Sequence, residues 1–148
     1  MQRFPLVFAS ALLFSVSTAF AGDMPPVSVT IDPVMSDGQA IAPGGAVAKV
    51  EGLKKGGDGY VSVRVAPSTR AREVDRLTEG TFLIRTFAER TDAGTRFVGV
   101  IYDPDGKSDR PMMETCGIPE APPYSLGPYK GPCKSGWVAL RFVKILAD

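Results

Sequence analysis

The chain has 148 residues, with 17 Lys and Arg against 16 Asp and Glu, two cysteines and no histidine. A net charge near zero gives no electrostatic case for nucleic acid or for an anionic membrane surface. The missing histidines exclude Ser-His triads, Cys-His nucleophilic pairs and histidine zinc sites, so no cofactor, no metal and no enzymatic activity are expected.

Residues 1–21 have the layout of a secretory signal peptide, with Arg3 at the positive start, an apolar run over residues 6–16 and Ala19-Phe20-Ala21 as a small-x-small cleavage site. The run is too short for a bilayer span, which takes about 20 residues, so no stable membrane span is expected after cleavage and the product is placed in the periplasm or outside the cell. The rest of the chain is of one-domain size, and a monomer is expected. Residues 22–47 hold four prolines and four glycines and are expected to form a mobile Pro/Gly-rich arm. Within it, Val27-Ser28-Val29-Thr30-Ile31 alternates at the strand period, which leaves open an edge strand or a segment that pairs with a partner.

The barrel domain is expected over residues 48–148. Residues 60–65 alternate strictly, with Val61, Val63 and Val65 on one face and Tyr60, Ser62 and Arg64 on the other. Ala66-Pro67-Ser68 turns the chain. Residues 77–87 hold two apolar stretches around Glu79-Gly80, a tight-turn dipeptide, and Phe82, Leu83 and Ile84 make the second stretch a buried strand. Residues 97–102 form the next strand, Gly136-Trp137-Val138 its partner, and residues 140–146 finish the chain. Short strands, frequent turns and no sustained helical period predict an all-β fold.

Residues 103–134 carry seven prolines and four glycines and are expected as an inserted loop. Cys116 and Cys133 lie in this stretch, and an even count in an exported chain favours a disulfide between them. Closing a loop of that length stabilises a fold by roughly 3 kcal/mol in the chain-entropy picture. Asp103-Pro104-Asp105-Gly106-Lys107-Ser108-Asp109, with Glu114 at the twelfth position, has the outline of a calcium loop, but Lys107 stands where an oxygen ligand belongs and Ser108 where glycine belongs. A Pro-Asp-Gly turn accounts for the same residues without a metal.

Val61-Ser62-Val63-Arg64 leading into Pro67-Ser68, then Leu77-Thr78-Glu79-Gly80, then Gly136-Trp137-Val138, resembles the bacterial SH3-like (SH3b) domain family over roughly residues 56–146. Two positions depart from it: Val65-Ala66 stands where many relatives have Ser-Gly, and Phe97-Val98 where relatives tend to have Trp-Tyr. The resemblance implies a small SH3-like barrel, a short helical turn after Gly136-Trp137-Val138, and a binding or targeting role toward cell-wall peptides or peptidoglycan.

Binding material is sought among Tyr60, Phe97, Tyr102, Tyr124, Tyr129 and Trp137, since Tyr and Trp offer large amphipathic contact area. Phe97 and Trp137 are assigned to the core. Tyr124, Tyr129 and Lys130, in the cross-linked loop, are the first ligand candidates, with Tyr102 and with Arg64, which serves either a ligand carboxylate or a structural ion pair. Glu73 and Asp75, beside Arg72 and Arg76, read as a solvated charge cluster rather than a glycosidase pair. The function expected is an exported binding module for a peptide or cell-wall ligand. The alternatives are a protein inhibitor of a cell-wall hydrolase or toxin, and a structural envelope subunit that docks through residues 22–47 by strand addition.

Overall fold

The computed structural model describes residues 23–105 and 111–146. The expected signal peptide lies outside the described residues, as do Gly106, Lys107, Ser108 and Asp109 of the calcium-like stretch. Strands dominate: β1 (Thr30–Ile31), β2 (Val34–Ser36), β3 (Gln39–Ala42), β4 (Gly45–Val50), β5 (Tyr60–Arg64), β6 (Glu73–Thr78), β7 (Phe82–Asp92), β8 (Thr95–Tyr102), β9 (Gly127–Pro128), β10 (Lys134–Ala139) and β11 (Val143–Ile145). One helical turn, α1 (Met112–Thr115), sits in the inserted loop, and a 3-10 turn over Leu140–Phe142 precedes β11. Seven strands form one sheet in the order β11-β4-β7-β8-β10-β5-β6, antiparallel throughout, and the sheet curls into a half-barrel.

Alternation along the central strands divides the core in two. One cluster gathers Val50, Val61, Leu77, Leu83, Val98, Val100, Tyr102, Val138 and Val143. All seven strands of the sheet contribute to it, as a sheet curled around its own side chains requires. The other cluster lies on the opposite face of the middle strands, where Ile84, Phe97, Ile101 and Trp137 meet Val29 and Ile31 from the N-terminal segment and Met112, Met113, Cys116 and Ile118 from the inserted loop. Phe97 and Trp137 are core residues, as expected, and Trp137 is only 1 % exposed.

The expectation drawn from the composition of residues 22–47 is corrected by the fold. The arm is seated rather than mobile. Val29 and Ile31 are buried, the Val27 N–H donates to the Val65 carbonyl at 2.8 Å, the Trp137 indole N–H donates to the Val27 carbonyl at 2.7 Å, and β1 pairs with β9. Pro/Gly content misled because the alternating Val27–Ile31 stretch supplies enough β-branched surface to cover Trp137 and Gly99. A Cβ on Gly99 would stand 2.7 Å from Val29 Cγ1, so the arm rests directly on the sheet backbone. The domain boundary expected between residues 47 and 48 falls inside β4.

The inserted loop carries the expected Cys116–Cys133 disulfide. It buries Met112, Met113 and Ile118 against the sheet, and the disulfide closes it. The Tyr129 hydroxyl completes the closure, donating to the Cys116 carbonyl at 2.8 Å and accepting from the Cys133 N–H at 3.0 Å.

Candidate binding groove

A bulge in β6 lies at the site. Val63 pairs with Asp75 and Arg64 with Glu73, which leaves Val74 as the extra residue, exposed beside a groove at whose rim Val65, expected on the face of Val61 and Val63, stands half-buried. This groove, about 390 Å³, is walled by Pro26, Val27 and Val29 of the arm on one side and by Val74, Asp75, Tyr102 and Lys134 on the other. Gly136 forms part of it as well; a side chain there would collide with Val63 Cγ1 and narrow the floor.

Asp75 organises the polar wall. Its Oδ2 accepts from the Tyr102 hydroxyl at 3.0 Å and from Lys134 Nζ at 3.1 Å, and its Oδ1 accepts from the Arg76 backbone N–H at 2.9 Å. Burial pushes this carboxyl up, but the Arg76 N–H, Lys134 and Tyr102 together outweigh it and hold the group below the usual carboxylate range. Tyr102 is displaced the other way: burial first, and then the negative charge of Asp75, push its phenol well above the ordinary range, so it stays a neutral donor. Lys134 remains more than half exposed and presents its ammonium at the mouth of the groove. Glu73, on the same strand, is occupied elsewhere, accepting from the Ser62 hydroxyl and from Arg76 Nε, and these two bonds hold its carboxyl below the usual range. Arg76 also stacks 4.1 Å over the Tyr60 ring.

Of the five residues selected from sequence, Tyr102 alone lines the groove. Arg64 donates to the Ala71 carbonyl at 2.8 Å, a backbone hydrogen bond rather than an ion pair, and thereby holds the turn that comes after β5. Tyr129 spends its hydroxyl inside the loop, and burial raises its phenol above the ordinary range. Tyr124 donates to the Ile41 carbonyl at 3.3 Å, on the β2–β3 ribbon, and Lys130 is exposed on the loop. Sequence reasoning missed Lys134 altogether, and it dismissed Asp75 with the charge cluster. The available signal was the single acidic residue directly after Val74 on a strand whose other acid has an arginine three residues on, but only the fold brings Tyr102 and Lys134 to it.

A second, polar hollow lies at the turn between β6 and β7, lined by Arg76, Glu79, Thr81, Asp103 and Asp105. Two of its acids are committed to local work: Glu79 accepts from the Gly52 and Leu53 N–H groups, and Asp103 from the Asp105 N–H. No group of three or more acids or cysteines placed to hold a metal is found among the described residues.

No family model, curated protein or solved structure matches the chain.

Proposed function

We propose that the chain is an exported, non-enzymatic binding module of the bacterial SH3-like kind, which takes an extended peptide or the peptide portion of a cell-wall polymer in the groove between the arm and the β6 and β10 strands. The observation that carries this reading is the composition of the groove. Apolar Val27, Val65 and Val74 lie beside an anion and a cation 3.1 Å apart, a surface suited to a chain with amide groups, small apolar side chains and charges of both signs. The SH3-like assignment draws support from the 3-10 turn between β10 and β11, which falls where the resemblance puts a short helical turn, and from the tight turn at Gly80.

The test is co-sedimentation with purified insoluble peptidoglycan, using the chain from Gly22 onward with Lys134→Glu and Val74→Asp variants. Val74 is 44 % exposed and Lys134 is open to solvent, so neither change strikes the core. The wild type is expected to sediment with the polymer and both variants to remain in solution. A wild type that stays in solution refutes the wall-binding reading.

A protein inhibitor is the second reading. It is favoured by exposed Met35 and Ile41 on the β2–β3 ribbon and by Leu126, 76 % exposed on the neighbouring loop. In that reading Met35→Asp and Leu126→Asp abolish inhibition of a partner enzyme while groove variants leave it intact.

A further inference from the structure

The seated arm reaches the sheet through an unusual connection. Between β1 and β4, residues 32–44 do not cross directly but rise into the β2–β3 ribbon, which forms a two-stranded sheet of its own and leaves Val34, Met35 and Ile41 exposed. Two-stranded ribbons are marginal by themselves. The base of the ribbon is a tight backbone crossing: a Cβ on Gly44 would stand 2.5 Å from the Asp32 carbonyl oxygen. The contacts that hold the arm itself, meanwhile, are all made across space. Val27 bonds to Val65 and Trp137, the Val29 carbonyl accepts from the Tyr129 N–H, and Thr30 lies opposite Pro128. None of them depends on the arm belonging to the same molecule.

We propose that the arm cleft is a binding site for a second copy of this chain, in which two molecules exchange residues 23–31 and residues 32–44 open from ribbon into connection. The exchange rebuilds every arm contact in both copies and gives up the β2–β3 pairing and the Tyr124–Ile41 bond. Opened, residues 32–44 span roughly 40 Å, enough to reach a neighbouring cleft. Opening also releases the crossing at Gly44, so the closed form alone requires glycine there.

The experiment mixes two chains, one carrying Thr30→Cys and the other Pro128→Cys, positions that face each other in the β1–β9 register. They are refolded together at high protein concentration, oxidised and run on a non-reducing gel. Covalent heterodimer is expected, in a yield that rises with protein concentration during refolding and exceeds the dimer formed by either chain alone. Adding Gly44→Ala to both chains raises that yield several-fold, because the methyl group burdens only the closed crossing. Trp137→Phe weakens the seat equally in both forms and leaves the ratio of dimer to monomer unchanged. A heterodimer yield no greater than in the single-chain controls overturns the proposal, as does a yield that folded Gly44→Ala chains leave unmoved. Should the Gly44→Ala chains fail to fold, the comparison in the unaltered background decides.

Discussion

Asp75 shows how one side chain can serve both the fold and the groove. It draws β6 onto β8 and β10 through Tyr102 and Lys134, and by accepting from the Arg76 N–H it also caps a backbone donor on the outermost strand of the sheet. Removing the phenol with Tyr102→Phe deletes a hydrogen bond to a charged acceptor, and the variant is expected to lose roughly 1.5 kcal/mol in urea unfolding. The same contact has a signature in alkali. A phenol raised in the folded state contributes stability that is fully present below its unfolded pKa, about 10, and is lost as pH rises toward the folded value. The tyrosinate absorbance of Tyr102 is therefore expected late in an alkaline titration, in a final part of the rise that accompanies unfolding and vanishes in Tyr102→Phe. A Tyr102→Phe variant whose latest absorbance rise matches the wild type would contradict the buried Tyr102–Asp75 contact.

At the scale of elements, the β7–β8 hairpin carries a local conflict that can be relieved. Its turn places Ala93 at φ 46° and Gly94 at φ 81°, the pair of positive values that a two-residue type I′ turn demands. Alanine in that region costs roughly 1–2 kcal/mol relative to its preferred conformations. Ala93→Asn, which gives the favoured Asn-Gly pair, is expected to raise stability by roughly 0.5–1 kcal/mol, read as a higher urea midpoint with an unchanged slope. The β2–β3 turn needs no such repair, since Asp37-Gly38 already supplies the pair.

The hairpin also marks where sequence stopped being informative. Strand β5 is legible directly from the alternation of Val61 and Val63, and β8 from its unbroken apolar run, Phe97 through Tyr102. Strand β7 runs on to Asp92, well past the expected end at Phe87, because its register slips between Arg85 and Glu89 and turns Phe87 outward, so that the period breaks in mid-strand. The arm was misjudged for a different reason: proline and glycine report local backbone preference, whereas the burial of Ile31 depends on a sheet face elsewhere in the chain. The groove was the least legible part, since Asp75 and Lys134 are distant in sequence and meet only because β6 and β10 flank β5.

Across the whole molecule, carboxylates stitch neighbouring strands together. Glu51, at the end of β4, holds Lys49 and Lys144 of β11; Glu73 of β6 takes Ser62 of β5; Asp75 takes Tyr102 and Lys134; Glu89 of β7 holds Arg96 of β8 together with Arg85. All four carboxyls are held below their ordinary range. Glu51 is lowered chiefly by Lys144, Glu73 by Ser62, and Glu89 by Arg96, while for Asp75 burial is overcome by hydrogen bonding. A carboxyl lowered in the folded state contributes stability that is present above its unfolded pKa, about 4, and is lost as pH falls through the folded value. Both edges of the sheet and its middle carry such a group, so acid is expected to loosen the strands together rather than at one end. Melting temperature should be flat from neutral pH down to about pH 5 and fall steeply below about pH 4. The exposed ion pairs contribute little individually and are screened by salt, so the neutral plateau should change little at raised ionic strength. Glu89→Gln removes one titrating group without removing its bulk, and it is expected to reduce the steepness of the acid limb while barely moving the plateau. An acid limb with unchanged steepness in this variant would place the acid sensitivity elsewhere in the sheet.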